Sequence, residues 1–194
     1  MDLGFLTTEL ECAQVHTLKF NAGRIKPVNR IVIHTAECPI RVGAARNVAS
    51  WLAGATAPNA SAHFVVDPGT TVQCVSVHDT AWHAGPANGR SIGIEHVGYA
   101  KFTEAQWAEP DAKQMLERSA ALIYVLCNEF SIEPRWLLDA EVADPEVSGI
   151  LGHDQITRVL KTGTHWDPGP HFPRAQLIEH VLYLKGNLPP GACV

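Results

Sequence analysis

The chain has 194 residues, of which 46% are hydrophobic and 18% are charged, and its formal net charge at pH 7 is −5. These values are typical of one globular domain with a sizeable core, and they exclude a disordered or fibrous chain. Because no basic cluster stands out, nucleic acid and anionic membranes are poor candidates for a partner. No apolar run approaches the roughly 20 residues that span a bilayer.

The amino-terminal segment carries acidic residues and lacks the basic start and apolar stretch of a signal peptide, so we expect a protein made in the cytoplasm. We also expect a monomer. If its substrate lies outside the membrane, something else must deliver the protein there. The five cysteines are dispersed and include no CxxC pair, which argues against a disulfide framework and against a cysteine zinc site. A single bridge stays open, but we expect buried free thiols. The cysteines are Cys12, Cys38, Cys74, Cys127 and Cys193.

The first half of the chain begins with an irregular lead-in over residues 1–28, which show no strong periodicity. Residues 30–35 form a short β-branched apolar run that is typical of a buried strand. In residues 44–52 the apolar side chains recur at three- and four-residue spacing, as on one face of a helix. This spacing predicts a helix that stops at Gly54.

A hairpin is predicted next, because two β-rich runs over residues 61–67 and 71–77 are joined by Asp-Pro-Gly. Proline presets one turn angle and glycine tolerates a positive one, so this connection favours a tight turn. Residues 91–97 form another apolar strand candidate, which is unusual because Glu95 places a carboxylate in its middle.

The most distinct helix signal begins at Thr103, where Gln106 follows at the three-residue spacing of a capping box. Pro110 should separate a short first turn from a long helix, along which a helical stripe continues. The members of this stripe are Met115, Ser119, Leu122, Ile123, Leu126 and Phe130.

The last third of the chain predicts a brief strand over residues 150–153, a polar loop to Pro173 and an amphipathic helix over residues 175–184. Strands that alternate with helices predict an α/β layer structure. Since no repeat, linker or second domain is visible, residues 1–194 are expected to form one domain with its core at about 30–185.

Three side chains lie where predicted strands run out into loops, namely His34, His153 and Asp167. Two imidazoles, a carboxylate and a water molecule make a plausible catalytic zinc sphere, which needs three protein ligands and one open position. However, the chain has ten histidines, and an aspartate before Pro-Gly is commonly only a turn residue. Spacing alone therefore leaves a metal site and three unrelated structural residues both open.

Glu95 should point into a core or a cleft, where an unpaired carboxylate costs several kcal/mol. One interpretation is an ion pair with an arginine such as Arg90. The other is a general base beside the metal, with its pKa raised toward neutrality by desolvation. His165 stands two residues before Asp167 and should lie on the rim of the same site. There it would steady an oxyanion, donate a proton or be a solvated loop residue.

Six short motifs follow one another along the chain: Ile-Val-Ile-His34-Thr, Ser61-Ala-His-Phe-Val-Val with its Asp-Pro-Gly turn, Ala81-Trp-His-Ala-Gly85, Ser91-Ile-Gly-Ile-Glu95, Gly152-His153-Asp-Gln-Ile and His165-Trp-Asp167-Pro-Gly-Pro. In content, order and spacing, the span from about Arg30 to Leu184 resembles the type-2 N-acetylmuramoyl-L-alanine amidases. This family includes phage amidase endolysins, muropeptide-recycling amidases and the peptidoglycan recognition proteins.

The resemblance implies a central mixed β-sheet flanked by helices, and a Zn2+ ion bound by His34, His153 and Asp167. It also implies that Glu95 occupies the position of the catalytic glutamate proposed for the recycling enzymes. A lysine is common two residues before the third ligand in this family, and here that position is His165. Because imidazole titrates at about pH 6.5, a role that needs a cation at position 165 would be lost at higher pH.

The implied reaction is zinc-dependent hydrolysis of the amide bond between N-acetylmuramic acid and L-alanine in bacterial peptidoglycan. The segment from Trp82 resembles a loop that lines the family's substrate groove, so Trp82 and His83 are expected substrate contacts. The short loop between Trp82 and Ser91 favours a phage or prophage endolysin that acts on the cell wall after release. A cytoplasmic anhydro-muropeptide recycling amidase and a non-catalytic peptidoglycan-binding protein are the alternatives. Inactive members typically lack the third ligand, so Asp167 favours catalysis.

Overall fold

The computed structural model describes residues 12–188, and a central β-sheet organises this part of the chain. The strands, in chain order, are β1 (Ala13–Gln14), β2 (Phe20–Asn21), β3 (Arg30–Thr35), β4 (Phe64–Val66), β5 (Thr71–Gln73), β6 (Thr80–Ala81), β7 (Ser91–His96) and β8 (Gly149–Gly152). Six of them form a mixed sheet in the order β1-β5-β4-β7-β3-β8. The other two, β2 and β6, pair antiparallel in a separate small sheet.

Helices lie on both faces of this sheet. They are α1 (Ala44–Ala53), α2 (Glu104–Trp107), α3 (Pro110–Phe130), α4 (Asp139–Val142), α5 (His153–Leu160) and α6 (Arg174–Asn187). The main hydrophobic core lies between the sheet and α1, α3 and α6, and a smaller core contains residues of α4 and α5. The predicted α/β architecture, a central mixed sheet flanked by helices, is therefore confirmed.

The strand β3 sets the geometry of the site because it lies between β7 and β8 and pairs with both in parallel. Its register places His34 beside Glu95, and Ile33 beside Gly152, which is the last residue of β8. Ile33 belongs to the main core and Val32 to the smaller one, so the alternation of side chains turns His34 toward the smaller core. The carboxyl ends of three adjacent strands thus meet at one edge of the sheet.

Most of the predicted elements are present. The first helix ends at Gly54, as expected, and β4 and β5 form the predicted antiparallel hairpin, although both strands are shorter than the apolar runs. The turn is held by Asp67, whose Oδ1 accepts hydrogen bonds from the backbone N–H groups of Gly69 and Thr70. Its Oδ2 also accepts from the N–H of Ala45 at 2.9 Å, which ties the hairpin to the start of α1.

The long helix α3 begins at Pro110, and the capping box of Thr103 and Gln106 is formed in front of it. The predicted stripe is buried except for Phe130, which is partly exposed. The serine in the stripe has a partner, because Ser119 Oγ lies 2.7 Å from Nε2 of the buried His96.

Two predicted elements are wrong. The described part of the lead-in is not wholly irregular, since β1 and β2 each pair with a strand from later in the chain. His153 does not end a strand but is the first residue of α5, and residues 154–160 of the expected polar loop are also helical. The sequence signal for this start is weak, because Gly152 at the N-cap has no side chain and the cap is made by Gln155, whose Oε1 accepts from the N–H of Gly152. Parts of the lead-in and of the tail lie outside the described residues.

The cysteines at positions 12, 38, 74 and 127 are free, and all but Cys38 are buried. Cys193 lies outside the described residues.

Between residues 12 and 188, no helix combines the length and the apolarity that crossing a membrane requires.

Gln155 fixes the start of α5 and thereby the position of His153. Its Oε1 accepts hydrogen bonds from the backbone N–H of Gly152 at 3.1 Å and from Trp136 Nε1 at 2.7 Å. Its Nε2 donates to the carbonyl oxygen of Leu137 at 2.9 Å and to a carboxylate oxygen of Asp139 at 3.0 Å. The side chain is buried, so the indole N–H of Trp136 and the carbonyl oxygen of Leu137 depend on the amide for a partner, whereas Asp139 also accepts from Arg158.

Replacing Gln155 by leucine should lower the free energy of unfolding by about 3 kcal/mol, because each buried polar group left unpaired costs roughly 1–3 kcal/mol. Urea unfolding of the two proteins measures the difference. The matched control is Gln114→Leu on the exposed face of α3, where the expected change stays within about 0.5 kcal/mol. Equal effects of the two substitutions would contradict the role of Gln155.

Candidate metal and catalytic site

His34, His153 and Asp167, which the sequence separates widely, converge at the carboxyl edge of the sheet. His34 Nδ1 lies 3.0 Å from Asp167 Oδ2, and His153 Nδ1 lies 3.4 Å from Asp167 Oδ1. The two imidazole rings have centroids 4.7 Å apart. One potential ligand atom from each residue can be chosen so that all three lie within 4.8 Å of one another.

Asp167 is brought to the two histidines by the loop that precedes α6. The backbone N–H of Asp154 donates to the carbonyl oxygen of Asp167 at 2.7 Å, which joins this loop to α5. Gly169, two residues after Asp167, has a φ of 93°. It packs so closely against the backbone of Ala100 that a Cβ atom would collide with it. The glycine of the Asp-Pro-Gly-Pro motif therefore permits a close approach that no other residue would allow.

The protonation states in this cluster suit a metal ion. Burial lowers the pKa of His34, so its imidazole is neutral at neutral pH. Burial alone would raise the pKa of Asp167, but hydrogen bonds with His153 and His34 outweigh it and hold that pKa below its usual range. A neutral imidazole and an ionised carboxylate are the forms that bind metals.

The spacing of the donor atoms also fits zinc. Two ligand atoms at about 2.0–2.1 Å from a tetrahedral zinc ion are about 3.3 Å apart. The distances from Asp167 Oδ2 to His34 Nδ1, 3.0 Å, and from Asp167 Oδ1 to His153 Nδ1, 3.4 Å, lie on either side of this value, although they involve different carboxylate oxygens. Two histidines and one carboxylate, with one position left open, form a donor set that catalytic zinc sites use.

Glu95 lies beside His34 in the strand register and lines the same cleft. Its Oε2 atom is buried and has no hydrogen-bond partner among the described residues. Burial raises the pKa of Glu95 to about 8, and the negative charges of Asp167 and Glu37 contribute. The alternative of an ion pair with Arg90 is wrong, because Arg90 pairs with Glu146 at 2.6 Å.

His165 lies on the rim of the cluster, as expected. Its ring stacks on that of His153 with centroids 4.0 Å apart and an interplanar angle of 18°, and its Nδ1 lies 3.6 Å from Asp167 Oδ1. The side chain is 60% exposed. Partial burial and the neighbouring His153 lower the pKa of His165, which makes the neutral imidazole the main form at neutral pH.

The two expected substrate contacts occupy different positions. Trp82 lines the cleft, half-buried, and its Nε1 donates to Asn21 Oδ1 at 3.1 Å. His83 also borders the cleft, but its Nδ1 lies 3.0 Å from Nε2 of His34. The ring of His83 therefore contacts the candidate metal cluster from the side away from Asp167.

The cleft has a volume of about 480 Å³ and contains two tryptophans that the sequence did not assign to it. The apolar spacing over residues 44–52 includes Trp51 in the predicted helix face, but this side chain is 57% exposed, and Trp166 is 53% exposed. The position of Trp166 between His165 and Asp167 was the available signal. Trp51 offered no such signal, because its spacing places it at the border between the buried and the exposed face of α1.

Comparison with known proteins agrees with this geometry. The profile of the N-acetylmuramoyl-L-alanine amidase family matches residues 24–170. N-acetylmuramoyl-L-alanine amidase A of Achromobacter lyticus is 27% identical over 150 residues, which cover 74% of this chain and 77% of the relative.

Solved structures share the fold. The hydrolase AmiA of Staphylococcus aureus, in complex with its ligand, has a TM-score of 0.64 at 17% identity and covers 92% of this chain and 87% of its own. An AmpD derivative has a TM-score of 0.58 at 21% identity, with 88% and 94% covered. A mutant endolysin from Bacillus subtilis has a TM-score of 0.53 at 21% identity, with 88% and 99% covered. Since the family profile covers most of the chain and the fold agrees, this protein belongs to the N-acetylmuramoyl-L-alanine amidase family.

Proposed function

We propose that this chain is a zinc-dependent enzyme that hydrolyses the amide bond between N-acetylmuramic acid and L-alanine in peptidoglycan. The observation that supports this most directly is the convergence of His34, His153 and Asp167 beside the unpaired carboxyl group of Glu95. These three residues would hold the zinc ion. When bound, zinc would polarise the scissile carbonyl group and acidify a water molecule toward neutrality.

Glu95 would act as the general base and then as the general acid. It is held near the end of a buried strand, and its pKa of about 8 without a metal would fall beside a bound cation, which would leave the carboxylate ionised and able to accept a proton at neutral pH. It would accept the proton of the attacking water and return it to the departing nitrogen of alanine. His165, on the rim beside Asp167, would donate a hydrogen bond to the oxyanion that develops on the carbonyl oxygen.

The tryptophans of the cleft would bind the substrate. Trp82 was expected in this role, and the exposed Trp51 and Trp166 extend the same surface. Exposed indole rings offer flat apolar faces on which a sugar ring or a peptide can pack.

We infer an endolysin role, in which the protein is made in the cytoplasm as a single monomeric domain over residues 1–194 and acts on the wall after release. The compact 3-10 turn Gly85–Arg90 supports this, because Asn88 Oδ1 accepts hydrogen bonds from the N–H groups of His83 and Ala84, and none of residues 85–90 lines the cleft. An open cleft suits a polymeric substrate. The cytoplasmic recycling role stays the alternative. The complete ligand set counts against a protein that only binds peptidoglycan.

Substituting Glu95 by glutamine should lower turnover at least 100-fold while zinc stays bound, because general acid–base catalysis contributes about 10²–10⁴ in rate and the amide cannot accept the proton. Release of new amino termini from purified peptidoglycan and metal analysis of the same samples measure both quantities. The control is Glu117→Gln on the exposed face of α3, which should leave turnover unchanged. Unimpaired turnover in the zinc-loaded Glu95 variant would remove this role.

The endolysin role predicts that the enzyme releases L-alanine amino termini faster from intact cross-linked sacculi than from a soluble anhydro-muropeptide at equal bond concentration. The Trp166→Ala variant should raise KM for sacculi, since the exposed indole would pack on the polymer. Rates on the two substrates, with and without the substitution, measure this. A preference for the soluble muropeptide would support the recycling enzyme instead.

A further inference from the structure

The second ring nitrogen of His34 begins a chain of hydrogen bonds that leads away from the metal cluster. His34 Nε2 lies 3.0 Å from His83 Nδ1, and His83 Nε2 lies 3.2 Å from Ser91 Oγ. The hydroxyl group of Ser91 donates to the carbonyl oxygen of Ala87 at 2.8 Å. These hydrogen bonds thus connect the candidate ligand His34 to a backbone acceptor, the carbonyl oxygen of Ala87.

The carbonyl oxygen of Ala87 can only accept a hydrogen bond, and this determines where each proton of the series lies. Since the Ser91 hydroxyl donates to Ala87, its oxygen accepts from His83, and the proton of His83 is therefore on Nε2. The Nδ1 atom of His83 is then an acceptor, to which His34 donates its Nε2–H. A metal ion bound at His34 Nδ1, on the side where the ligand atoms converge, would take the place of the direct contact between Nδ1 and Asp167, and the single proton of the neutral ring would then be the one on Nε2.

The ring of His83 is held in this position by its surroundings. It lies against Gly93 of β7 so closely that a Cβ atom there would be 2.6 Å from His83 Cγ. The backbone N–H of His83 donates to Asn88 Oδ1 at 3.1 Å, which fixes the start of the turn. The ring of His63 packs edge-on against it at a centroid distance of 5.5 Å. Together these contacts leave little freedom for the ring to turn toward the cleft.

We propose that His83 is a positioning residue for the ligand His34, supported by Ser91, instead of a substrate contact. The proposal rests on the proposed function, because it takes the metal at His34, His153 and Asp167 to be zinc. A hydrogen bond to the outer nitrogen of a ligating imidazole fixes its tautomer and orientation, and its loss typically weakens metal binding by about 10–100-fold. Here another imidazole makes that bond, and a serine sets its direction.

The test compares His83→Leu with His83→Asn, two side chains of similar size. The Oδ1 atom of asparagine lies near the position of Nδ1 and retains an acceptor for His34, whereas leucine does not. We expect zinc to bind about 10–100-fold more weakly to the leucine variant, and most of the affinity to return in the asparagine variant. Zinc competition with a chelator of known affinity measures this, and KM at saturating zinc should stay unchanged in both. Ser91→Ala should weaken zinc binding by a smaller factor.

Wild-type zinc affinity in His83→Leu together with a raised KM would overturn the proposal and restore His83 as a substrate contact. If the leucine variant does not fold, Ser91→Ala decides, and an unchanged zinc affinity there would overturn it. Unfolding of the metal-free variants measures any general loss of stability. The free energies of unfolding of the leucine and asparagine variants should differ far less than their zinc affinities do, which separates the two effects. A wild-type protein that binds no zinc would contradict the proposed function itself.

Discussion

The parallel pairing of β3 with both β7 and β8 is the constraint on which the site depends. It aligns three strand ends at one edge of the sheet, so that His34 lies beside Glu95, and His153 follows the strand on the other side. Parallel strands of this kind are buried on both faces, and a slip by one residue would turn His34 into the main core. The hydrophobic pattern that builds the core therefore also sets the direction of the reactive side chains.

The polar groups at this edge are held by partners that the chain supplies from far away. Gln155 satisfies the backbone around the start of α5, and Gly169 lets the loop of Asp167 reach the histidines. Gly93 makes room for the ring of His83. Among the described residues, Glu95 is the one cleft-lining residue with a buried side-chain atom that lacks a hydrogen-bond partner. A buried acceptor without a donor costs free energy unless a substrate or solvent group meets it.

Local patterns predicted much of the fold, because β3, the hairpin and α3 carry their periodicity and turn residues within a few positions. The convergence of His34, His153 and Asp167 followed from the ordered motifs, and the structure places the three together. The helix that begins at His153 was missed, since Gly152 at its N-cap has no side chain and the cap is made by Gln155. The exposure of Trp51 and the inward turn of the His83 ring were missed because they depend on tertiary contacts.

The most direct test of the account measures zinc content by mass spectrometry together with the release of new L-alanine amino termini from purified peptidoglycan, before and after chelation. The account predicts about one zinc per chain, and a release that is lost on chelation and restored by added zinc. A folded protein that takes up no zinc when it is supplied, or that releases the same amino termini without it, would contradict the assignment of His34, His153 and Asp167 as the ligands.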